Sequence, residues 1–199
     1  MTFVNCCVVG LSGDVGHGKD TFADMLVDEL NYTKFSFAEP MRQSLVALLG
    51  IPMEYFTDRV LKEVVLPQWG KSPREFMQLF GTEFLRTFIA EDFLIRRMEE
   101  EITKLQKAQV DNTKVLNIVI TDCRFANEVK WVKESFSQTC LFRIEAYERV
   151  LPVLKGNTAV HASENGGIAR ELYDAIINNN GTKADLATQI HFPIHFFSF

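Results

Sequence analysis

The sequence has little that would place it in a membrane. Its longest apolar run, Cys6 to Leu11, is far short of the roughly 20 residues that a bilayer-spanning helix needs. No charged start leads into a signal-type apolar stretch either, so the chain reads as cytosolic. Cysteine is sparse: Cys6, Cys7, Cys123 and Cys140 form no CxxC pair, and each lies in or beside a strand-like run. Reduced, mostly buried thiols are expected, not a disulfide framework or a zinc site. Basic excess is also missing. With 21 Lys and Arg against 26 Asp and Glu, the net charge is −5, which argues against a nonspecific grip on DNA or RNA. Any cationic site must be local, and no polymeric nucleic acid is expected as a partner. The sequence has no internal repeat. What is present is an ordinary globular composition, 47% hydrophobic and 12% aromatic over 199 residues, enough for one medium domain or a core with a small insert.

Phe3 to Leu11 reads as a strand buried on both faces. Phe22, Met25, Leu26 and Leu30 recur at helical spacing and predict a helix from about Gly18 to Leu30. Lys34 to Phe37 alternates as a second strand, and Pro40 fits the first turn of a helix reaching about Leu49. Ser72, Pro73 and Glu75 form a cap and first turn, after which Gly81 is expected to break the helix. Leu94, Met98, Ile102 and Leu105 stripe a helix over about 91–106, with Glu99, Glu100 and Glu101 towards solvent. Val115 to Thr121 and Thr139 to Ile144 read as third and fourth strands, with a helix between them over about 127–136. Leu172 to Ile177 reads as a fifth strand, and Lys183 to Ile190 as a closing helix. Strands alternating with helices imply a three-layer α/β sandwich around a parallel sheet of about five strands. A helical region at about 38–90 and a lid-like loop at about 146–167 interrupt one domain. The aromatic tail from His191 to Phe199 is expected to be buried on the body or at a subunit contact.

Between the first strand and the first helix stands Gly13-Asp14-Val15-Gly16-His17-Gly18-Lys19. This is the GxxxxGK part of a phosphate-binding loop, in which backbone N–H groups and a helix amino end hold an anion and the lysine reaches the outer phosphates. Asp20 follows where most such loops place the Ser or Thr that binds Mg²⁺, and Thr21 comes one later. That arrangement leans towards small-molecule kinases over switches, with the ion held mostly by water and substrate phosphates. Asp122 ends the third strand and is expected to face a metal-bound water, with Arg124 in the same cleft. A phosphate acceptor is already largely ionised at neutral pH, so scattered cations are needed more than a strong base. Arg42, Arg74, Arg86, Arg124, Arg143 and Arg149 provide them. His161, Ser163 and Glu164 fall in the presumed lid, whereas His191 and His195 read as packing or surface residues.

These residues resemble a known family, the deoxynucleoside monophosphate kinases of tailed bacteriophages. The phosphate loop through Lys19-Asp20-Thr21 is similar to that family's GKDT loop. Phe35-Ser36-Phe37-Ala38-Glu39-Pro40-Met41-Arg42 resembles its SFADPLK block. Ser72-Pro73-Arg74-Glu75 with Gln78, Gly81-Thr82-Glu83 and Arg86 resembles PRE…Q…GTE…R. Asp122-Cys123-Arg124-Phe125-Ala126-Asn127-Glu128 is similar to DVRFPNE, His161-Ala162-Ser163-Glu164 matches HxSE, and Asn179-Asn180-Gly181-Thr182 is similar to NDGT. The resemblance implies a P-loop nucleoside monophosphate kinase-like fold that moves the γ-phosphate of ATP to a dNMP with Mg²⁺. By position it places Gly13 to Thr21 on ATP, with Lys19, Asp122 and Arg124 catalytic. Ala38, Arg42, Trp69, Arg74, Gln78, Arg86, Asn127 and Glu128 fall on the dNMP side, and Arg143, Arg149, His161, Ser163 and Glu164 in the lid. Asp122, through water, and Asp20 are the metal candidates. The partners implied are ATP and a dNMP, with a homodimer suggested by the aromatic tail and, for a phage-encoded chain, the cytoplasm of the host. Two other readings stay open: a P-loop kinase for a different phosphorylated acceptor such as phosphomevalonate, and a nucleotide-binding switch without transfer.

Overall fold

The computed structural model describes residues 3–109, 114–149, 168–191 and Pro193. The chain divides into two compact units, one made of residues 1–36 and 102–199 and the other of residues 37–101.

The first unit is built on a five-stranded, all-parallel sheet. Its strands are β1 (Phe3–Ser12), β2 (Thr33–Phe35), β3 (Leu116–Ile120), β4 (Phe136–Glu145) and β5 (Ala175–Asn178), in the order β2-β3-β1-β4-β5. Alternation along β1 explains the layers, because successive side chains point to opposite faces. Cys7, Val9 and Leu11 pack with Phe22, Met25 and Leu26 of α1 (Lys19–Leu30) and with Leu186, in the helix α7 (Lys183–Ala187). On the other face, a Cβ at Gly10 would meet Val132 of α6 (Ala126–Ser135), together with Leu141 and Cys123. Cys6 shares that face and receives a hydrogen bond from Gln106 of α5 (Phe93–Ala108). Helices thus cover both faces of a sheet whose central strands read as continuous apolar runs. Phe142 is fully buried in this core. Phe142→Ala is expected to lower stability by about 3–5 kcal/mol, measured by urea unfolding.

The second unit is helical: α2 (Glu39–Leu49), α3 (Glu54–Thr57) and α4 (Pro73–Gln78), which runs on as a π-helix over Leu79–Ile89, and then the start of α5. The cap expected at Ser72 is present: its Oγ accepts from the Glu75 amide at 3.3 Å while its own amide donates to Glu75 Oε2 at 2.8 Å. Gly81 does not break the helix as expected. It lies inside the π-helix, where a Cβ would come within 2.6 Å of Met41 Sδ, so the missing side chain gives α2 room to approach. Of the stripe expected on α5, Leu94, Met98 and Ile102 are buried and Leu105 is half-buried.

Several boundaries move from their expected places, and the closing helix ends at Ala187 where Ile190 was expected. β2 starts at Thr33 and stops at Phe35, leaving Phe37 to the second unit. β4 begins at Phe136, directly after α6. β5 starts only at Ala175, because Arg170–Leu172 forms a 3-10 turn. The four cysteines are free and buried. No described helix is long and apolar enough to cross a membrane.

Candidate active site

The site lies at the carboxyl ends of the strands, where the connection leaving the central β1 runs to β2 on one side and that leaving its neighbour β3 runs to β4 on the other. In an open parallel sheet this is where a ligand crevice forms. The loop after β1 needs its glycines: Gly13, Gly16 and Gly18 have φ of 138°, 87° and 94°, which L side chains rarely adopt. A Cβ at Gly13 would also strike the carbonyl oxygen of Ile144 in β4. Gly18 caps α1, so the first amides of that helix face the loop. Lys19 curls back, donating from Nζ to the carbonyls of Gly13 at 2.6 Å and Asp14 at 2.9 Å.

Burial pushes the Lys19 amine down to about 8, and the nearby Arg124 guanidinium adds to the effect; Asp20, Asp14 and Asp122 oppose it. A polyphosphate beside the amine favours the ammonium form and raises its pKa. Nucleotide binding at pH 8.5 is therefore expected to take up a proton, and affinity should fall as pH rises through about 8. Calorimetry in two buffers of different ionisation enthalpy checks this. Lys19→Arg, which cannot titrate there, should remove the uptake, and equal heats for the native chain would rule it out.

β3 lies beside β1, with Ile120 opposite Gly10, and this brings Asp122 and Arg124 close to Lys19. Asp122 is 8% exposed, and Oδ2 accepts from Ser36 Oγ at 2.7 Å. Glu128, expected on the acceptor side, is only 1% exposed. Its Oε2 accepts from the amides of Arg124 at 2.7 Å and Phe125 at 3.0 Å, so the carboxylate shapes the turn that carries Arg124. Asn127 is half-buried in the first turn of α6. Asp20 is 77% exposed and pairs with Lys34 at 3.3 Å, and Thr21 is exposed. Among the described residues no group of three or more His, Cys, Asp or Glu side chains could hold a metal ion.

Arg143, expected in the lid, lies instead within β4. It reaches Asp14 Oδ1 at 3.3 Å, Glu145 Oε1 at 3.0 Å and the Tyr147 hydroxyl at 2.8 Å, tying the phosphate loop to the sheet. His17 is buried, with its ring edge-on to Tyr147 and its Nδ1 3.3 Å from the Ile144 carbonyl oxygen; burial lowers its pKa. The Arg149 guanidinium stands 3.7 Å from the position of a Cβ on Gly18. His161, Ser163, Glu164 and His195, with most of the presumed lid and the tail, lie outside the described residues.

In the helical unit, Arg42 donates to Glu39 Oε2 from Nε at 3.1 Å, and Arg74 donates to Glu63 Oε1 from Nε at 2.6 Å. Arg86 is buried, with one guanidinium nitrogen 3.3 Å from the Glu91 carbonyl oxygen. Ala38 and Gln78 are half-buried, and Trp69 stands exposed in a tight turn whose ends pair at Leu66 and Lys71. Sequence reasoning missed two side chains of the phosphate-loop end, Ser36 and Asn179. Both sit inside blocks that carry the family resemblance, but neither residue type advertises a role by itself.

A parallel sheet covered on both faces, a glycine loop running from β1 into α1 and a lysine at the helix start define a P-loop phosphate-binding α/β protein. The chain is similar in sequence to two viral proteins named as deoxynucleotide monophosphate kinases, one of them provisionally. It is 28% identical over 190 residues to an Acanthamoeba polyphaga mimivirus protein provisionally named deoxynucleotide monophosphate kinase, covering 92% of this chain and 93% of that one. It is 26% identical over 188 residues to the deoxynucleoside-5'-monophosphate kinase of Escherichia phage T5, covering 64% of this chain and 72% of the other. In structure it is similar to TT1252 from Thermus thermophilus, with a TM-score of 0.51 at 16% identity, covering 97% and 98% of the two chains. That likeness concerns the fold. No protein-family model matches the chain.

Proposed function

We propose that the chain is a deoxynucleoside monophosphate kinase that transfers the γ-phosphate of ATP to a dNMP, giving dNDP and ADP. The observation that carries this reading is the sequence likeness, along nearly the whole chain, to a mimivirus protein of that provisional name. The chemistry of the residues agrees with it. The acceptor phosphate is mostly ionised at neutral pH, so the protein must gather cations and align two anions more than remove a proton. Lys19, Arg124 and Arg149 supply positive charge around the phosphate loop, where it offsets charge on the transferring group. Arg42, Arg74 and Arg86, with Gln78, are assigned to the acceptor phosphate, and Ala38, Trp69 and Asn127 to the rest of the dNMP. Glu39 and Glu63 hold Arg42 and Arg74 in fixed orientations until a phosphate competes for them.

Mg²⁺ bound to ATP would neutralise phosphate charge. Asp122, steadied by Ser36, is the residue that would take one of its waters. The reaction is assigned to the cytoplasm, in keeping with the reduced, buried thiols. A homodimer is proposed from the composition of the tail, with three phenylalanines in its last four residues; a monomer in sedimentation at micromolar concentration would dismiss it.

ADP release with ATP, Mg²⁺ and each of the four dNMPs, beside the matching ribonucleotides, tests the assignment. Turnover with at least one deoxynucleotide is expected. Silence across the panel with ATP binding intact would move the activity to another phosphorylated acceptor.

A further inference from the structure

Asn179 is the first residue after β5, and the kinase chemistry outlined above gives it no part. It is 4% exposed and held at both ends. Its amide donates to the Glu145 carbonyl at the end of β4 at 2.7 Å, and its side-chain Nδ2 donates to the carbonyl oxygen of His17, in the phosphate loop, at 2.8 Å. The same Nδ2 occupies the space into which a Cβ on Gly18 would project. Asn179 thus lies behind the loop, on the side away from an anion held by its amides.

In a trans peptide the carbonyl and the following N–H point in opposite directions. Fixing the His17 carbonyl on Asn179 therefore fixes the Gly18 N–H the other way, into the loop. With φ of 94°, Gly18 has wide conformational freedom, and the peptide before it could rotate unless something held it. The bond is buried, so water competes poorly for either partner.

We infer that Asn179 is a positioning residue for the phosphate-loop site, setting the His17–Gly18 peptide so that the Gly18 N–H donates to the polyphosphate of the nucleotide donor. The neighbouring Asn180 belongs to a different link: its Oδ1 accepts from the Glu148 amide, beyond the end of β4, at 2.9 Å.

The inference rests on the kinase reading for its ligand, but its test does not need the acceptor. Binding of ATP and of inorganic tripolyphosphate is measured by calorimetry on the full chain, beside circular dichroism and, where turnover is found, the KM for the dNMP. Asn179→Ala is expected to weaken ATP and tripolyphosphate by a similar factor of about 10 or more, with dNMP KM within twofold of the native value. Asn179→Asp keeps the shape but cannot donate when ionised. Its deficit relative to the native chain is expected at pH 8 and should shrink as the pH is lowered towards 5, because the protonated carboxyl regains a donor. Should Asn179→Ala fail to fold, the Asn179→Asp pH profile decides alone.

Native affinity for tripolyphosphate in both variants would overturn the assignment. So would loss of ATP binding with tripolyphosphate binding kept, since the side chain would then act on the nucleoside part. A pH-independent deficit in Asn179→Asp would equally remove the hydrogen-bond argument. Absence of dNMP turnover, by contrast, would count against the kinase reading and leave these binding results standing.

Discussion

Lys19→Ala is expected to lower kcat by about 10²–10³-fold while leaving the far-ultraviolet circular dichroism of the chain unchanged. The side chain is well placed for such an effect. Its amine sits within the loop on the carbonyls of Gly13 and Asp14, close to Arg124 and Asp122, and it is the first residue of α1. Removing it takes a unit charge from the place where negative charge shifts during transfer, in a partly desolvated setting that magnifies the loss. The fold should tolerate the change, because α1 keeps its buried face of Phe22, Ala23, Met25 and Leu26. Single-turnover measurement at saturating ATP separates the chemical step from binding. A rate within threefold of native would remove Lys19 from the catalytic assignment. Lys19→Arg keeps the charge but changes its shape, and should recover only part of the rate.

The second large effect is expected at the other substrate. Arg74→Ala should raise the KM for the dNMP by about 10–100-fold, the scale of one charge-assisted hydrogen bond to phosphate, while the Kd for ATP stays within twofold. Arg74 is the second residue of the short capped helix α4, with its guanidinium on Glu63, so removing it leaves the Ser72–Glu75 cap in place. Initial-rate kinetics with each substrate varied in turn read the split. Selective loss of ATP affinity would transfer Arg74 to the donor side. Equal losses for both substrates, together with a lower melting temperature, would make its role structural.

Much of the phosphate-loop end was legible in the sequence, because its chemistry depends on local order. A buried strand, a glycine-rich turn and an amphipathic helix occupy consecutive residues from Phe3 to Leu30, and no distant contact is needed to recognise them. Asp122 followed β3 in the same way, and Ser72, Pro73 and Glu75 announced the start of α4 through a three-residue reciprocal cap. Apolar runs likewise marked the parallel strands, since strands covered on both faces show no polar alternation.

Other features depended on which elements meet. Gly81 reads locally as a helix breaker, yet the closeness of Met41 explains a glycine within the π-helix. Arg143 read as a lid arginine until the pairing of β1 with β4 set it against Asp14. Glu128 looked like a substrate carboxylate, but the turn before α6 folds its amides onto it. Asn179 lies 162 positions from His17 in the chain, and only the strand order β1-β4-β5 brings the end of β5 behind the loop. The sequence by itself therefore determined the phosphate loop, the strand and helix alternation and the class of chemistry, because spacing along one element encodes them. Only the tertiary structure decided which side chains hold that loop in shape, because hydrogen bonds between the ends of different strands leave no periodic trace in either segment.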